Sequence, residues 1–327
     1  WKTRFVLSNT NWLRHLLVGP LLLAVLVTWA VASPPGASHD DNFHLASSFC
    51  GIGYRENICE PGSTEGIRKI PEGIAQIADC YWPTRAPIPG SCVIESDYGR
   101  KTNMVDSVMT NKNGLYPPLF YAANSLFVSS HFQFSIYAMR AFNCLIFVIL
   151  FMLAFLVLEN KTRRYYLISI LLCSLPLGFY LIASNNPSSW GIAGVSTYWI
   201  FFYHFWILQK WKRWLSLFGA VIAFAVAVGS RADAAFYIML STVLVTFVLF
   251  KVLTTKQRLS LFLAGLFAGL LAVKLAFGTN QGAVITDGFQ NLQVPRVGID
   301  VLLYNILHIP EVVFGPFGYG RHGSLGW

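Results

Sequence analysis

SIYAMRAFNCLIFVILFMLAFLVL, residues 135–158, is an apolar run with a single charged side chain, Arg140. A helix that crosses the hydrocarbon core of a bilayer needs about 20 such residues, so this stretch alone predicts a transmembrane helix. The whole chain agrees, because 55% of its 327 residues are hydrophobic and only 12% are charged. A soluble domain has roughly one quarter charged residues. The sequence therefore predicts an all-α membrane protein that crosses the bilayer several times.

Six further stretches are apolar enough to span, namely residues 12–33, 165–184, 191–208, 214–229, 234–253 and 259–277. Lysines and arginines cluster at the start of the first of the seven spans, after the second and the fourth, and at the end of the sixth: Lys2, Arg4, Arg14, Lys161, Arg163, Arg164, Lys210, Lys212, Arg213, Lys251, Lys256 and Arg258. Counting every span puts all four clusters on one side, which the positive-inside rule assigns to the cytoplasm. We therefore expect a cytoplasmic N-terminus.

The net charge of +9 is dispersed over these clusters and forms no single basic patch, so we expect no nucleic-acid partner. The lipid bilayer is the expected surrounding instead. Residues 12–33 could also be a signal peptide, but this run is nearer spanning length than signal length, which favours a retained helix.

A loop of about one hundred residues, 34–134, separates the first two spans and is too long for a structureless connection. We expect it to fold on the extracytoplasmic face. Its four cysteines, Cys50, Cys59, Cys80 and Cys92, predict two disulfides with three possible connectivities, and the alternative is four free thiols. We treat residues 1–327 as a single transmembrane domain that contains this loop. The chain starts without Met and stops amid an outer segment, so we expect a C-terminal truncation.

Two adjacent carboxylates, Asp40 and Asp41, closely follow the first span and are flanked by His39 and His44. Their repulsion can raise the pKa of one carboxyl group, which suits a general base that takes a proton from an acceptor hydroxyl. The alternative is a helix N-cap, and residue types alone favour it.

Imidazole and carboxylate also suit several divalent ions, although the spacing matches no closed zinc site. The sequence therefore establishes no cofactor and leaves a divalent ion at Asp40 and Asp41 open.

Three arginines are candidate contacts for an anionic group. Arg140 and Arg231 fall toward the outer ends of their spans, where a phosphate could reach them, although a structural ion pair explains each one alone. Arg321 lies in GYGRHG, residues 318–323, which matches a dinucleotide-binding pattern but follows no predicted strand.

Five short motifs occur in order along the chain: SPPGASHDDNFHLAS (33–47), YPPLFYAA (116–123), SNNPSSWGIAG (184–194), SRADAAF (230–236) and GSLGW (323–327). Through them the chain resembles the bacterial membrane-protein family DUF2142, grouped with the polyprenyl-phosphate-dependent GT-C glycosyltransferases. One departure is Asp41, which stands where that pattern has Glu. An Asp-Asp pair here also resembles the actinobacterial arabinofuranosyltransferases, so the sugar stays open.

The resemblance implies a GT-C-like transmembrane helix bundle in the bacterial cytoplasmic membrane, with its active face outside. It implies transfer of a sugar from a polyprenyl-phosphate donor to an envelope glycan or lipid acceptor. Asp40 would be the catalytic base and Asp41 its partner or a metal contact. The candidate substrate-binding residues are His44, Arg140, Asn186, Trp190, Arg231 and Arg321.

Two other classes of function remain open. A transporter or flippase of lipid-linked envelope precursors would place paired charges near the middle of the membrane, often in repeated halves. A non-catalytic envelope assembly protein would use the large loop for interaction and would tolerate replacement of the acidic pair.

Overall fold

The structure is a computed structural model that describes residues 9–38, 40–81, 90–174 and 176–280, and beyond them residues 299, 303, 304, 306 and 307. The helices of the continuous ranges are α1 (Asn9–Ala32), α2 (Asp41–Phe49), α3 (Glu72–Ala75), α4 (Ser91–Glu95), α5 (Leu119–Asn124), α6 (Phe132–Val157), α7 (Asn160–Cys173), α8 (Pro176–Ile182), α9 (Ser188–Ile207), α10 (Lys210–Val228), α11 (Ala232–Phe250) and α12 (Thr255–Phe277). The prediction of a mostly helical membrane protein is confirmed.

Four helices, α6, α10, α11 and α12, are long and apolar enough to cross a membrane. Asn160–Leu172 and Pro176–Ile182 form a pair bent by 92°, and counting that pair as one broken span gives five. These numbers, which refer to the described residues, fall below the seven spans predicted from sequence. Within α1, the apolar part Leu17–Ala32 is shorter than the other four helices.

Helix α9 occupies the fourth predicted span but is not among the four helices that are long and apolar enough to cross a membrane. It is the central helix of the bundle and packs against α6, α10 and α11. A Cβ atom at Gly194 would lie 2.5 Å from the carbonyl oxygen of Ala223, so the backbones of α9 and α10 approach closely there. Because α9 faces protein on several sides, its serine, threonine and tyrosine side chains can be paired within the bundle. Tyr198, for example, exchanges a hydrogen bond of 2.9 Å with Thr242.

The loop between α1 and α6 folds into a small module with a three-stranded antiparallel sheet. Its strands are β1 (Glu60–Pro61), β2 (Arg68–Pro71) and β3 (Met104–Ser107), in the order β1-β2-β3. In register, Lys69 lies opposite both Glu60 and Asp106, so opposite charges face each other across the sheet. The module has its own apolar core, which continues onto the first turns of α6: Leu45, Phe49, Ile70, Ile74, Ile77, Phe132, Ile136 and Met139.

Two disulfides cross-link this module and confirm the predicted pairing of the four loop cysteines. Cys50 bonds to Cys59 and Cys80 bonds to Cys92. Of the three connectivities that the sequence left open, the structure therefore has the one that joins neighbours along the chain. The first bond lies next to the C-terminus of α2, so it fixes the helix that carries the acidic pair.

Candidate functional site

The two carboxylates of the acidic pair lie in different environments. Asp41 begins α2 and is fully buried. Its Oδ2 accepts hydrogen bonds from the backbone amides of Gly36, at 3.1 Å, and Ser38, at 3.4 Å. The same oxygen lies 3.5 Å from Nη2 of Arg140 on α6. Asp41 therefore holds the turn between α1 and α2 and does not face solvent.

Arg140 is also buried, with 1% of its side chain exposed. Its Nη1 donates to the carbonyl oxygens of Ala30, at 2.9 Å, and Ser33, at 2.6 Å, and its Nη2 donates to that of Pro34, at 3.2 Å. The last carbonyl groups of a helix have no partner within the helix, and a cation at that end is favourable. Arg140 thus ties the C-terminus of α1 to α6. The sequence predicted this arginine as a candidate phosphate contact, but in the structure its guanidinium group binds these carbonyl oxygens.

Burial raises the pKa of the Asp41 carboxyl to about 6, while the charge of Arg140 and the hydrogen bonds from Ser38 and Gly36 oppose that rise. The second oxygen, Oδ1, is buried and accepts no hydrogen bond from the described residues. An incompletely satisfied buried carboxylate is costly, so Arg140 is needed to keep it in place.

Asp40 occupies the N-cap position of α2 and is exposed to solvent. Its backbone has a φ of 58°, in the left-handed region that non-glycine residues seldom adopt. The carbonyl oxygen accepts the amide of His44 at 2.9 Å, but the side chain makes no capping hydrogen bond. Neither carboxylate therefore caps the helix. The side chain of Asp40 makes no capping bond, and the carboxylate of Asp41 accepts hydrogen bonds from amides of the preceding turn. Asp40 is left as the accessible acid.

Aromatic rings surround His44, which is buried on α2. Its Nδ1 lies 2.9 Å from the hydroxyl of Tyr121 on α5. The Tyr116 ring meets the imidazole edge-on, with centroids 5.3 Å apart. His44 is therefore engaged by the protein itself and orients the two tyrosines.

Arg231 immediately precedes α11 and is anchored on two sides. Its Nε and Nη2 donate to the two carboxylate oxygens of Asp233, at 2.8 and 3.1 Å, and its Nη1 donates to the hydroxyl of Ser188 at 3.0 Å. The guanidinium carbon lies 5.8 Å from the centroid of the Tyr116 ring. The amide of Phe120 on α5 donates to the carbonyl of Gly229, which brings the tyrosines and Arg231 together.

The charges of Asp40 and Arg231 act in opposite directions on the pKa of the same two phenols. Burial raises the pKa of Tyr116, Arg231 lowers it, and the charges of Asp40 and Asp233 raise it. Burial also raises the pKa of Tyr121 well above its ordinary value. The charge of Arg231 lowers this pKa, and the charge of Asp40 raises it. Both phenols therefore stay protonated near neutral pH, between an accessible carboxylate and an arginine.

Asn186 and Trp190 lie at the start of α9, with different surroundings. Asn186 is buried, and its Oδ1 accepts the amide of Ser188 at 2.9 Å, so it shapes the turn whose hydroxyl holds Arg231. Trp190 is 3% exposed, and its Nε1 donates to Oδ1 of Asn143 at 2.9 Å. That tryptophan therefore lies in the core between α6 and α9. The remaining sequence candidates, His39 and Arg321, lie outside the described residues.

Neither tyrosine was a candidate from sequence, although both belong to the motif YPPLFYAA. Aromatic residues beside two prolines at a membrane surface are common, and only the tertiary contact with His44 and Arg231 distinguishes them. Among the described residues, no group of three or more His, Cys, Asp and Glu side chains is placed to hold a metal ion.

No curated protein and no solved structure matches this chain. The sequence pattern of a family described as a predicted membrane protein (DUF2142) matches residues 23–323, which is most of the chain. The matched range includes α2 with its acidic pair, both tyrosines and Arg231. On this match the protein belongs to the DUF2142 family of membrane proteins.

Proposed function

We propose that this protein is a membrane glycosyltransferase of the GT-C type. It transfers a sugar from a polyprenyl-phosphate donor to a hydroxyl group of an envelope glycan or lipid on the extracytoplasmic face of the bacterial cytoplasmic membrane. One observation carries the proposal: Arg231 lies 5.8 Å from the ring of Tyr116, and Asp40 begins the helical turn whose His44 contacts both tyrosines. The reaction needs a group that can accept a proton and a group that can bind a phosphate.

In this mechanism, Asp40 takes the proton of the acceptor hydroxyl while its oxygen attacks the anomeric carbon of the sugar. The bond between that carbon and the phosphate oxygen breaks, and its electron pair leaves with the lipid phosphate. Arg231 stabilises the charge that develops on the leaving phosphate through charge-assisted hydrogen bonds. Attack from the face opposite the phosphate inverts the anomeric centre.

Asp41 and Arg140 position the base in this proposal and do not act on substrate. Together they fix the turn from Pro34 to Ser38, and that turn precedes the left-handed backbone of Asp40. Strained backbone persists only where surrounding contacts impose it. The buried ion pair supplies such contacts, and it does so from two helices and the connecting turn.

An apolar groove between α11 and α12 supports a lipid-linked donor. Its volume is about 570 Å³, and its lining includes Met239, Thr242, Thr246, Phe262, Gly265 and Leu266. Met239 follows Arg231 by about 12 Å along the axis of α11, at 1.5 Å per residue. A polyprenyl chain could therefore lie in the groove while its phosphate is held at Arg231.

The distribution of charge supports an extracytoplasmic site. Nζ of Lys212, at the start of α10, donates to the carbonyl oxygen of Val157 at the end of α6, 3.4 Å away. The basic turns that follow α6 and α9 therefore meet at one end of the bundle. Arg231 and Asp40 lie beyond the opposite helix ends, which the positive-inside rule would place outside the cytoplasm.

A transporter or flippase is the second candidate, because Asp41 and Arg140 form a buried charged pair and one oxygen of Asp41 accepts no hydrogen bond from the described residues. Buried ionisable pairs of this kind also serve in ion-coupled transport. Such a protein would move lipid-linked precursors across a bilayer without altering them.

The test is to incubate the purified protein with a panel of radiolabelled polyprenyl-phosphate sugars and envelope acceptors, and to separate the products by chromatography. Transfer of label by the wild type and its loss in Asp40→Asn are expected. Asp97→Asn is the matched control, because Asp97 is likewise exposed, left-handed and without a capping bond. Absence of transfer with every donor, together with movement of intact lipid in vesicles, would replace the proposal by the transporter.

A further inference from the structure

The two tyrosines between Asp40 and Arg231 differ in what their hydroxyl groups can still bind. The hydroxyl of Tyr121 is bonded to His44, and 1% of that residue is exposed. Tyr116 is partly exposed, and its hydroxyl makes no hydrogen bond within the part of the chain that the structure describes. Tyr116 therefore offers a hydroxyl to a ligand, whereas Tyr121 supports the wall behind it.

Tyr116 is held in place by its backbone. Nδ2 of Asn111 donates to the Tyr116 carbonyl and Oδ1 of Asn111 accepts the Tyr116 amide, both at 2.8 Å. The amide of Asn111 in turn donates to the hydroxyl of Ser47 on α2, at 2.9 Å. This clamp links the tyrosine to the helix that carries the acidic pair. A side chain fixed in advance loses little conformational freedom when a ligand binds.

The contacts of Arg231 show which ligand group the hydroxyl could serve. An arginine usually binds a phosphate through two parallel hydrogen bonds. In this protein Asp233 occupies the fork of Nε and Nη2, and Ser188 accepts one bond from Nη1. The Nε and Nη2 edge of Arg231, which would bind a phosphate best, is therefore already bonded to Asp233. A phosphate at this arginine needs a second hydrogen-bond donor nearby. The Tyr116 ring lies beside the same guanidinium group.

We propose that the Tyr116 hydroxyl donates a hydrogen bond to the phosphate group of the lipid-linked donor, next to Arg231. Tyr116 is thereby a donor-binding residue, and Asn111 is the residue that positions it. The inference rests on the proposed function for the identity of the lipid, but the contact itself needs only a phosphate on an isoprenoid chain.

Binding of farnesyl phosphate and of farnesol, which lacks the phosphate, to the full chain in nanodiscs tests the inference without a transfer reaction. We expect Tyr116→Phe to weaken binding of farnesyl phosphate about tenfold, as loss of one hydrogen bond to a charged group should. Binding of farnesol should not change. The matched control is Tyr54→Phe, because Tyr54 has a similar contact with Arg68, 4.5 Å from its ring, and should leave both affinities unchanged.

Equal affinities of Tyr116→Phe and wild type for farnesyl phosphate would overturn the inference. If Tyr116→Leu then lost binding while Tyr116→Phe kept it, the aromatic ring and not the hydroxyl would contribute to binding. A wild-type protein that binds both probes alike would overturn it as well. The transfer assay then decides separately whether the protein is a glycosyltransferase, so the two failures are distinguishable. Asn111→Ala should reproduce part of the Tyr116→Phe loss, since it frees the loop but keeps the hydroxyl.

Discussion

Nη2 of Arg140 lies 3.5 Å from Oδ2 of Asp41, and both side chains are almost completely buried. The pair joins α2 to α6, and the same arginine also binds three carbonyl oxygens at the end of α1. Removing one member of a buried ion pair leaves the other charge without compensation. The pair is therefore the structural support of the segment that carries the accessible acid, Asp40.

We expect Arg140→Ala to destabilise the protein by about 3–5 kcal/mol, because it leaves a buried carboxylate and several carbonyl groups unpaired. The thermal midpoint in detergent, followed by fluorescence, measures the effect. Arg100→Ala is the control, since Arg100 forms an exposed ion pair with Asp97 and its loss should cost at most about 1 kcal/mol. Similar midpoints for the two variants would show that the buried pair contributes nothing.

The raised pKa of Asp41 predicts how stability changes with pH. The folded-state pKa of about 6 lies above the ordinary value of 3.8, so the folded protein holds this proton more tightly than the unfolded chain. The resulting stabilisation is complete below about pH 3.8 and is lost as pH rises through 6. The difference corresponds to about 3 kcal/mol.

Melting temperatures of wild type and Asp41→Asn between pH 4 and pH 7 check this prediction. The wild type should lose stability relative to Asp41→Asn as pH rises across that window, because the amide does not titrate. A relative gain of the wild type with rising pH would mean that the charge of Arg140 outweighs burial and lowers the pKa of Asp41.

The paired cysteines give a covalent prediction. Mass spectrometry of protein that was alkylated without reduction should find Cys50 linked to Cys59 and Cys80 linked to Cys92. The first bond closes a short loop, so Cys50→Ser with Cys59→Ser should cost about 2–3 kcal/mol. Four alkylated loop cysteines in protein isolated under oxidising conditions would contradict the structure.

Composition predicted the membrane environment and the helical class, because both depend on the average polarity of long segments. The pairing of the loop cysteines was predictable, but their connectivity was not, since it depends on how the module folds. Seven spans were predicted, and among the described residues four helices, or five with the bent pair, are long and apolar enough to cross a membrane. Apolar length does not distinguish a helix that faces lipid from one that, like α9, is surrounded by other helices.

The motifs contain some of the residues that the structure brings together. Asp40, Asp41, His44 and Arg231 were named from the motifs, and the structure brings His44 and Arg231 into contact with the two tyrosines. Arg140 was placed near the outer end, but its partners are Asp41 and carbonyl groups at the C-terminal end of α1, and sequence spacing does not predict these contacts. Tyr116 was missed because an aromatic residue acquires a role here only through neighbours from α2 and from the turn before α11.

The last prediction concerns Arg231, whose guanidinium group is fixed by Asp233 and Ser188 before any substrate binds. Arg231→Ala should raise the apparent KM for the lipid donor about 10- to 100-fold, because one or more charge-assisted hydrogen bonds to the phosphate are lost. The KM for the acceptor should change little. Arg231→Lys should recover only part of the loss. An ammonium group keeps the positive charge, but it cannot form the two parallel hydrogen bonds to Asp233 and also reach a phosphate, as the guanidinium group can.

Steady-state transfer rates, measured with each substrate varied in turn, separate these effects. Arg68→Ala is the matched control, because Arg68 also lies over a tyrosine ring but in the loop module, and it should leave both KM values unchanged. If Arg231→Ala altered the two KM values equally, or lowered only the melting temperature, the arginine would be a structural partner of Asp233. The phosphate would then have to be bound elsewhere on the outer face, and the contact of Arg231 with Tyr116 would no longer support the transfer reaction.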